Sequence, residues 1–260
     1  MTSAPHPPLR QGLNVVTFVA VLWLNGLAGS GVLSGASIGE IANQYASYFL
    51  PANYVFGIWS LIYLGLAAFT VYQALPPLRG CDTLGRLGWA WALNGALNIA
   101  WISAFSFGLF SVAWVVMVAL LVNLVWIHER IGFGTASLTW DERVFVAWPF
   151  GLYLAWISVA LISNTFQLVT YLGWNGFGID GTVWSALLMV VGTGLAAFMV
   201  LHRSNWLFPL VFAWAFVGLA QRYADIPLLV TTAYATSALG LVAMVAGLLW
   251  RRRTMLATQP

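Results

Sequence analysis

Leu109-Phe110-Ser111-Val112-Ala113-Trp114-Val115-Val116-Met117-Val118-Ala119-Leu120-Leu121-Val122-Asn123-Leu124-Val125-Trp126-Ile127-His128 carries no carboxylate, lysine or arginine until Glu129 and Arg130 close it. A helix of about 20 apolar residues crosses the roughly 30 Å hydrocarbon core of a bilayer. The stretch therefore reads as a transmembrane helix, and it repeats in both directions. Apolar runs of similar length lie at approximately 12–33, 53–74, 86–106, 144–169, 182–202, 206–222 and 226–250. With 109–128 they make eight candidate spans, 206–222 being the shortest, and the fold class expected is an all-α integral membrane protein.

Composition agrees. Of 260 residues, 61% are hydrophobic and 7% charged, against roughly 25% charged in a soluble domain. The sixteen Phe, fifteen Trp and nine Tyr exceed what interfacial aromatic belts need. There is no Lys, which excludes a Schiff-base cofactor and a Walker-type phosphate loop. A single cysteine, Cys81, excludes an internal disulfide, a cysteine zinc site and an iron–sulfur cluster. His6 falls in the N-terminal tail, and His128 and His202 fall where apolar runs end, so paired mid-membrane haem ligands are not expected. The net charge of +3 comes from loop arginines and points to topology, not to nucleic acid.

With eight spans both termini share a side. Arg10, Arg79, Arg86, Arg130, Arg143, Arg203 and Arg251–Arg253 then fall together, and only Arg222 falls opposite, near Glu40, Asp180 and Asp225. Positive residues concentrate in cytoplasmic loops, so both termini are expected in the cytoplasm. The competing reading is a signal peptide cleaved after Ala28-Gly29-Ser30-Gly31. The Pro-rich start, Pro5-His6-Pro7-Pro8, and the length of the apolar run weigh against it. The longer connections are 34–52, 129–143 and 170–181; the last is rich in Gly and aromatics and reads as an interfacial anchor, with a lid as the alternative. Gly26, Ser30 and Ser34, and Gly31, Gly35 and Gly39, follow small-xxx-small spacing, which permits close helix approach or dimerisation or, equally, a flexible loop.

No ionisable residue maps to the middle of a span, which argues against a proton pump or a buried-carboxylate catalyst. The polar content is neutral and clustered. Trp91, Asn94, Asn98, Trp101 and Phe105 share a helical face; Trp59 and Tyr63 are one turn apart; Trp156, Ser163, Asn164 and Gln167 recur at similar spacing. An amide in hydrocarbon needs a partner, so Asn94, Asn98 and Asn164 are expected to face the bundle interior. Interhelical packing explains any one of these residues. Three faces that each pair aromatic rings with amides point to an aromatic-lined pocket for a flat, largely apolar ligand.

Three segments carry a resemblance: Pro51-Ala52-Asn53-Tyr54-Val55-Phe56-Gly57-Ile58-Trp59-Ser60-Leu61-Ile62-Tyr63; Leu97-Asn98-Ile99-Ala100-Trp101 with Phe105 and Phe107; and Pro149 with Trp156 and Asn164. In residue types and order these resemble the tryptophan-rich sensory protein/translocator protein (TspO) family; Ala52 and Tyr54 stand where that family has proline and tryptophan, the Gly57-to-Trp59 spacing is one residue short, and Pro149 precedes Trp156 by seven residues instead of four. The resemblance implies a five-helix bundle over 1–170, to which 171–260 adds a three-helix extension packed on it. It also implies a pocket open toward the outer half of the membrane that takes porphyrins, notably protoporphyrin IX. Animal members bind cholesterol and synthetic aromatic compounds, members are often dimeric, and some bacterial ones degrade protoporphyrin in light.

The candidate ligand-binding residues are Tyr54, Trp59, Tyr63, Asn94, Asn98, Trp101, Trp156 and Asn164, with no catalytic residue, no metal ligand and no covalent cofactor. By the motif match Trp59 and Trp156 are the pocket tryptophans, supported by Asn98 and Trp101. The leading expectation is a receptor or carrier for tetrapyrroles or similar flat molecules, with a regulatory or stress role, as a possible homodimer in a bacterial plasma membrane. The alternative is an accessory subunit of a larger membrane complex. A porphyrin-degrading enzyme ranks last.

Overall fold

Pro8 opens the first long helix because its ring presets φ and the N–H it lacks has no acceptor in a first turn. The computed structural model describes residues 7–45, 47–134 and 138–257, with side chains described through residue 250. His6 lies outside them, as do the side chains of Arg251–Arg253. Eight long helices follow one another: α1 (Pro8–Gly29), α2 (Ile58–Ala74), α3 (Ala90–Ser106), α4 (Phe110–Ile131), α5 (Trp148–Tyr171), α6 (Gly181–Arg203), α7 (Leu207–Arg222) and α8 (Pro227–Ala257). Among the described residues there is no strand. The chain is an all-α membrane protein.

Among the described residues, six segments are long and apolar enough to cross a membrane: Pro8–Gly29, Asn53–Ala74, Phe110–Ile131, Trp140–Tyr171, Gly181–Arg203 and Pro227–Trp250. The other two expected spans, α3 and α7, have 17 and 16 residues, or about 25 Å at 1.5 Å per residue. α7 packs against α5, α6 and α8, with Phe208, Phe212 and Phe216 fully buried. The expected third span, 86–106, is interrupted. Asp82–Leu87 forms a separate turn of helix, and Gly88, at φ 55°, redirects the chain before α3 begins. The 34–52 connection is likewise not all loop, since Ile38–Gln44 is a short helix.

α5 is continuous with Trp140–Glu142 through a π-type turn at Arg143–Ala147. Pro149 has no N–H to close the ordinary helical bond there, which accounts for the widened turn. Gly65 of α2 lies against this proline: a Cβ at that glycine would sit 3.3 Å from Pro149 Cβ.

Contacts between helix ends, grouped at the two ends of the bundle, mark the alternation of the helices. At one end Gln11 donates to Gln73 O (2.7 Å), Arg86 to Arg130 O (2.9 Å) and Arg203 to Glu129 (2.8 Å). At the other, Gln167 donates to Ile41 O (3.4 Å), Ser185 to Tyr48 O (2.7 Å) and Arg222 to Asn43 Oδ1 (2.6 Å). Within lipid the hydrophobic effect does not press helices together, so packing and interhelical hydrogen bonds must do so, at about 0.6 kcal/mol per bond. The edge-on rings of Phe69, Trp91 and Phe150, with centroids 4.8–5.6 Å apart, and the Trp114 Nε1 bond to Thr165 Oγ1 (2.8 Å) act in this way.

Candidate functional site: an aromatic cavity between the first five helices

A cavity of about 630 Å³ lies among α1–α5, and residues of the 37–42 and 47–53 segments also line it. This is within the range of small-molecule sites, roughly 300–1,000 Å³. Its aromatic wall is built by helical spacing. Trp59 and Tyr63, one turn apart on α2, stack at 5.2 Å and 23°. Trp59 also meets Trp156 of α5 edge-on at 6.2 Å, and Phe56 meets the same Trp156 at 5.9 Å. Trp101 and Phe105 of α3 stack at 5.1 Å.

Five of the eight sequence-predicted residues come together here: Trp59, Tyr63, Trp101, Trp156 and Asn164 line the cavity. Three do not. Asn98 sits one layer behind, donating to the Tyr153 hydroxyl (2.7 Å) and accepting from Asn25 Nδ2 (3.1 Å). Asn94 donates to Asn123 Oδ1 of α4 (3.0 Å), whose own amide donates to Ala90 O. Tyr54 turns away and packs edge-on against Trp214 of α7 at 5.1 Å. No residue of 170–181 lines the cavity, and Phe177 in that loop is exposed.

The sequence reading missed the contribution of the first helix and the connection after it. Asn25, Gly26 and Gly29 of α1, then Ser37, Ile38, Gly39 and Ala42, form one side of the cavity. Gly26 has open space where a Cβ would stand, so its small size leaves volume for the cavity instead of bringing another helix close. The signal available was Ser37-Ile38-Gly39-Glu40, a capping box: Ser37 Oγ accepts from Glu40 N (3.2 Å), and Glu40 accepts from Ser37 N (2.7 Å).

The amide pair at the α5 end of the cavity has a defined orientation. Gln167 Nε2 donates to the Ile41 carbonyl (3.4 Å), which can only accept. Gln167 Oε1 is therefore the atom that faces Asn164 Nδ2 (3.3 Å), and Asn164 Oδ1 is left without a partner. The Nε1 atoms of Trp101 and Trp156 also lack one. None of the 25 lining residues is Asp, Glu, Arg or His, and among the described residues no three potential metal-ligating side chains cluster. The lining supplies aromatic surface and neutral hydrogen-bonding groups, which suits binding more than acid–base chemistry.

Fold and cavity together define a polytopic α-helical membrane protein with an aromatic-lined intramembrane site. The chain belongs to the TSPO-like protein family, whose sequence model it matches over residues 11–246. The matched region runs past residue 170, through α6 and α7 and into α8. No curated protein and no solved structure matches the chain significantly.

Proposed function

We propose that the protein binds a flat, largely apolar molecule of tetrapyrrole size, such as a porphyrin, in the α1–α5 cavity and serves as a membrane receptor or carrier for it. The observation that carries this reading is the convergence of Trp59, Trp101 and Trp156 on one cavity of about 630 Å³. Stacked and edge-on ring pairs contribute about 0.5–1.5 kcal/mol each beyond their buried area, so three indoles and Tyr63 favour a planar conjugated ligand over a flexible chain. A bacterial plasma membrane location with both termini in the cytoplasm is part of the same reading. The arginine distribution along the sequence supports the orientation of the termini, and the lack of Lys beside abundant Ala, Gly, Leu and Trp supports the bacterial source.

The test is a titration of the detergent-purified protein with protoporphyrin IX, following tryptophan fluorescence with inner-filter correction. The expected result is saturable quenching that weakens at least tenfold in affinity in the Trp59→Phe/Trp156→Phe variant. Quenching that never saturates, equal in both proteins, overturns the reading.

A further inference from the structure

We propose that Arg86 and Arg130 hold the headgroup phosphate of an anionic phospholipid in the leaflet at the arginine-rich end of the bundle. Neither residue lines the aromatic cavity, so the proposal stands or falls independently of the ligand-binding reading.

Two cations converge on the last turn of α4. Arg86, on the short Asp82–Leu87 helix, donates from Nε to Arg130 O (2.9 Å) and from Nη2 to Thr83 Oγ1 (3.0 Å) and Ile131 O (3.5 Å). These bonds fix the guanidinium at the carbonyl end of α4 and leave Nη1 without a partner among the described residues. The Arg130 guanidinium makes no hydrogen bond among them and lies over the Trp126 ring, 4.7 Å from its centroid. Both arginines are exposed, and among the described residues neither joins an ion pair. The adjacent carboxylate, Glu129, is engaged by Arg203 at 2.8 Å, and Asp82, one turn before Arg86, pairs with neither arginine. Two guanidinium groups without a carboxylate repel one another, and an anion held by both reverses the sign of that interaction.

The surface of α4 leading up to them indicates which anion. Val115, Val122, Trp126 and Arg130 recur at spacings of seven, four and four, so they share one helical face. Val115, Val122 and Trp126 are exposed, which makes this face an apolar stripe ending in an indole and then a cation. Trp89, three residues after Arg86, is exposed as well. The Asn123 bond to Ala90 O (3.2 Å) sets it near the level of the last turns of α4. Acyl chains fit the valines, and indole rings favour the headgroup boundary. Guanidinium groups bind phosphate oxygens in pairs. A free phosphate uses only the last of these features, whereas a phospholipid uses all three. A zwitterionic headgroup carries its own ammonium against the phosphate, so uncompensated arginines favour a headgroup with net negative charge.

The experiment titrates detergent-purified protein with dioleoyl phosphatidylglycerol and, separately, dioleoyl phosphatidylcholine, counting bound lipid by native mass spectrometry. An arginine beside an anionic lipid headgroup contributes about fivefold in affinity, so wild type should prefer phosphatidylglycerol by about twentyfold. Arg130→Gln leaves the Arg86 bonds to backbone intact and should lower the preference about fivefold. In Arg86→Gln/Arg130→Gln the preference should vanish. Arg79→Gln removes an exposed arginine at the same end of the bundle and should keep the wild-type preference. Inorganic phosphate in excess should not displace the bound lipid. Equal binding of the two lipids by wild type overturns the proposal. An equal fall in Arg79→Gln and Arg130→Gln also overturns it, because the preference would then follow net charge and not this site. Displacement by inorganic phosphate assigns the site to a free anion and overturns the lipid as its occupant.

Discussion

Asn94, Asn98 and Asn164 look alike in the sequence: each is an amide in an apolar run, on a face with tryptophan. Their roles diverge because the opposite helix offers each a different partner. Asn123 takes Asn94, and Tyr153 with Asn25 takes Asn98, whereas Asn164 has only Gln167 and keeps a bare oxygen. Asn98→Leu should therefore act on stability. It strands the Tyr153 hydroxyl in the bundle interior and should lower unfolding free energy by about 1–2 kcal/mol, seen as a lower thermal midpoint. Asn164→Leu should act on ligand affinity instead. If Asn98→Leu left the midpoint unchanged, the Asn98–Tyr153 bond would not be holding α3 to α5. Tyr54→Phe should alter neither property, because that ring packs on Trp214 outside the cavity. Spacing alone placed Trp59, Trp101 and Trp156 on inward faces. It could not reveal which amides were already paired, since that depends on residues 29 to 73 positions away.

Among the elements, the short helix Ile38–Gln44 shows what periodicity cannot detect. Seven residues are too few for an apolar stripe to emerge, so the segment reads as loop although its capping box is written in the sequence. The eight long helices were legible because the length of a membrane span is set by the bilayer and recurs. The break at Gly88 was not, since the apolar run continues across it. Ser37→Ala should remove the cap at a cost of about 1 kcal/mol. Amide hydrogen exchange at 41–44 should then accelerate about fivefold while exchange within α4 stays the same. The pH dependence has a definite sign. Glu40 is held below its ordinary value in the folded helix, so its contribution is present above the unfolded carboxylate range and is lost as pH falls through the folded value. Protection of 41–44 should thus fall on acidification in wild type and change less in Ser37→Ala. A pH response of equal size in both would show that Glu40 does not act through the cap.

Across the whole molecule the three C-terminal helices contribute no lining residue among those described, yet α6 and the α7 region fasten the 47–55 segment, of which Ser47, Leu50, Pro51 and Asn53 line the cavity. Ser185 of α6 donates to Tyr48 O (2.7 Å) and Trp214 of α7 to Val55 O (3.0 Å). The Tyr223 hydroxyl donates to Ser47 O, and Ala52 N to Gly218 O (3.1 Å). Phe49 lies between Phe166 of α5 and Phe216 of α7. The closest approach is at Gly218, where a Cβ would overlap Val55 Cγ2 and stand 3.3 Å from Pro51 Cβ. Gly218→Ala must therefore push the 51–55 segment off α7. It should cost about 1–3 kcal/mol and weaken ligand binding with no change to any lining side chain. Val55→Ala alone removes two buried methyl groups and should cost about 1–2 kcal/mol. Because the added methyl of one variant occupies space vacated by the other, Gly218→Ala/Val55→Ala should be markedly more stable than the sum of the single losses and should recover binding. Strict additivity in this cycle would mean that α7 does not bear on the 51–55 segment at Gly218. Recovery would show that the C-terminal helices set the shape of a site they never line.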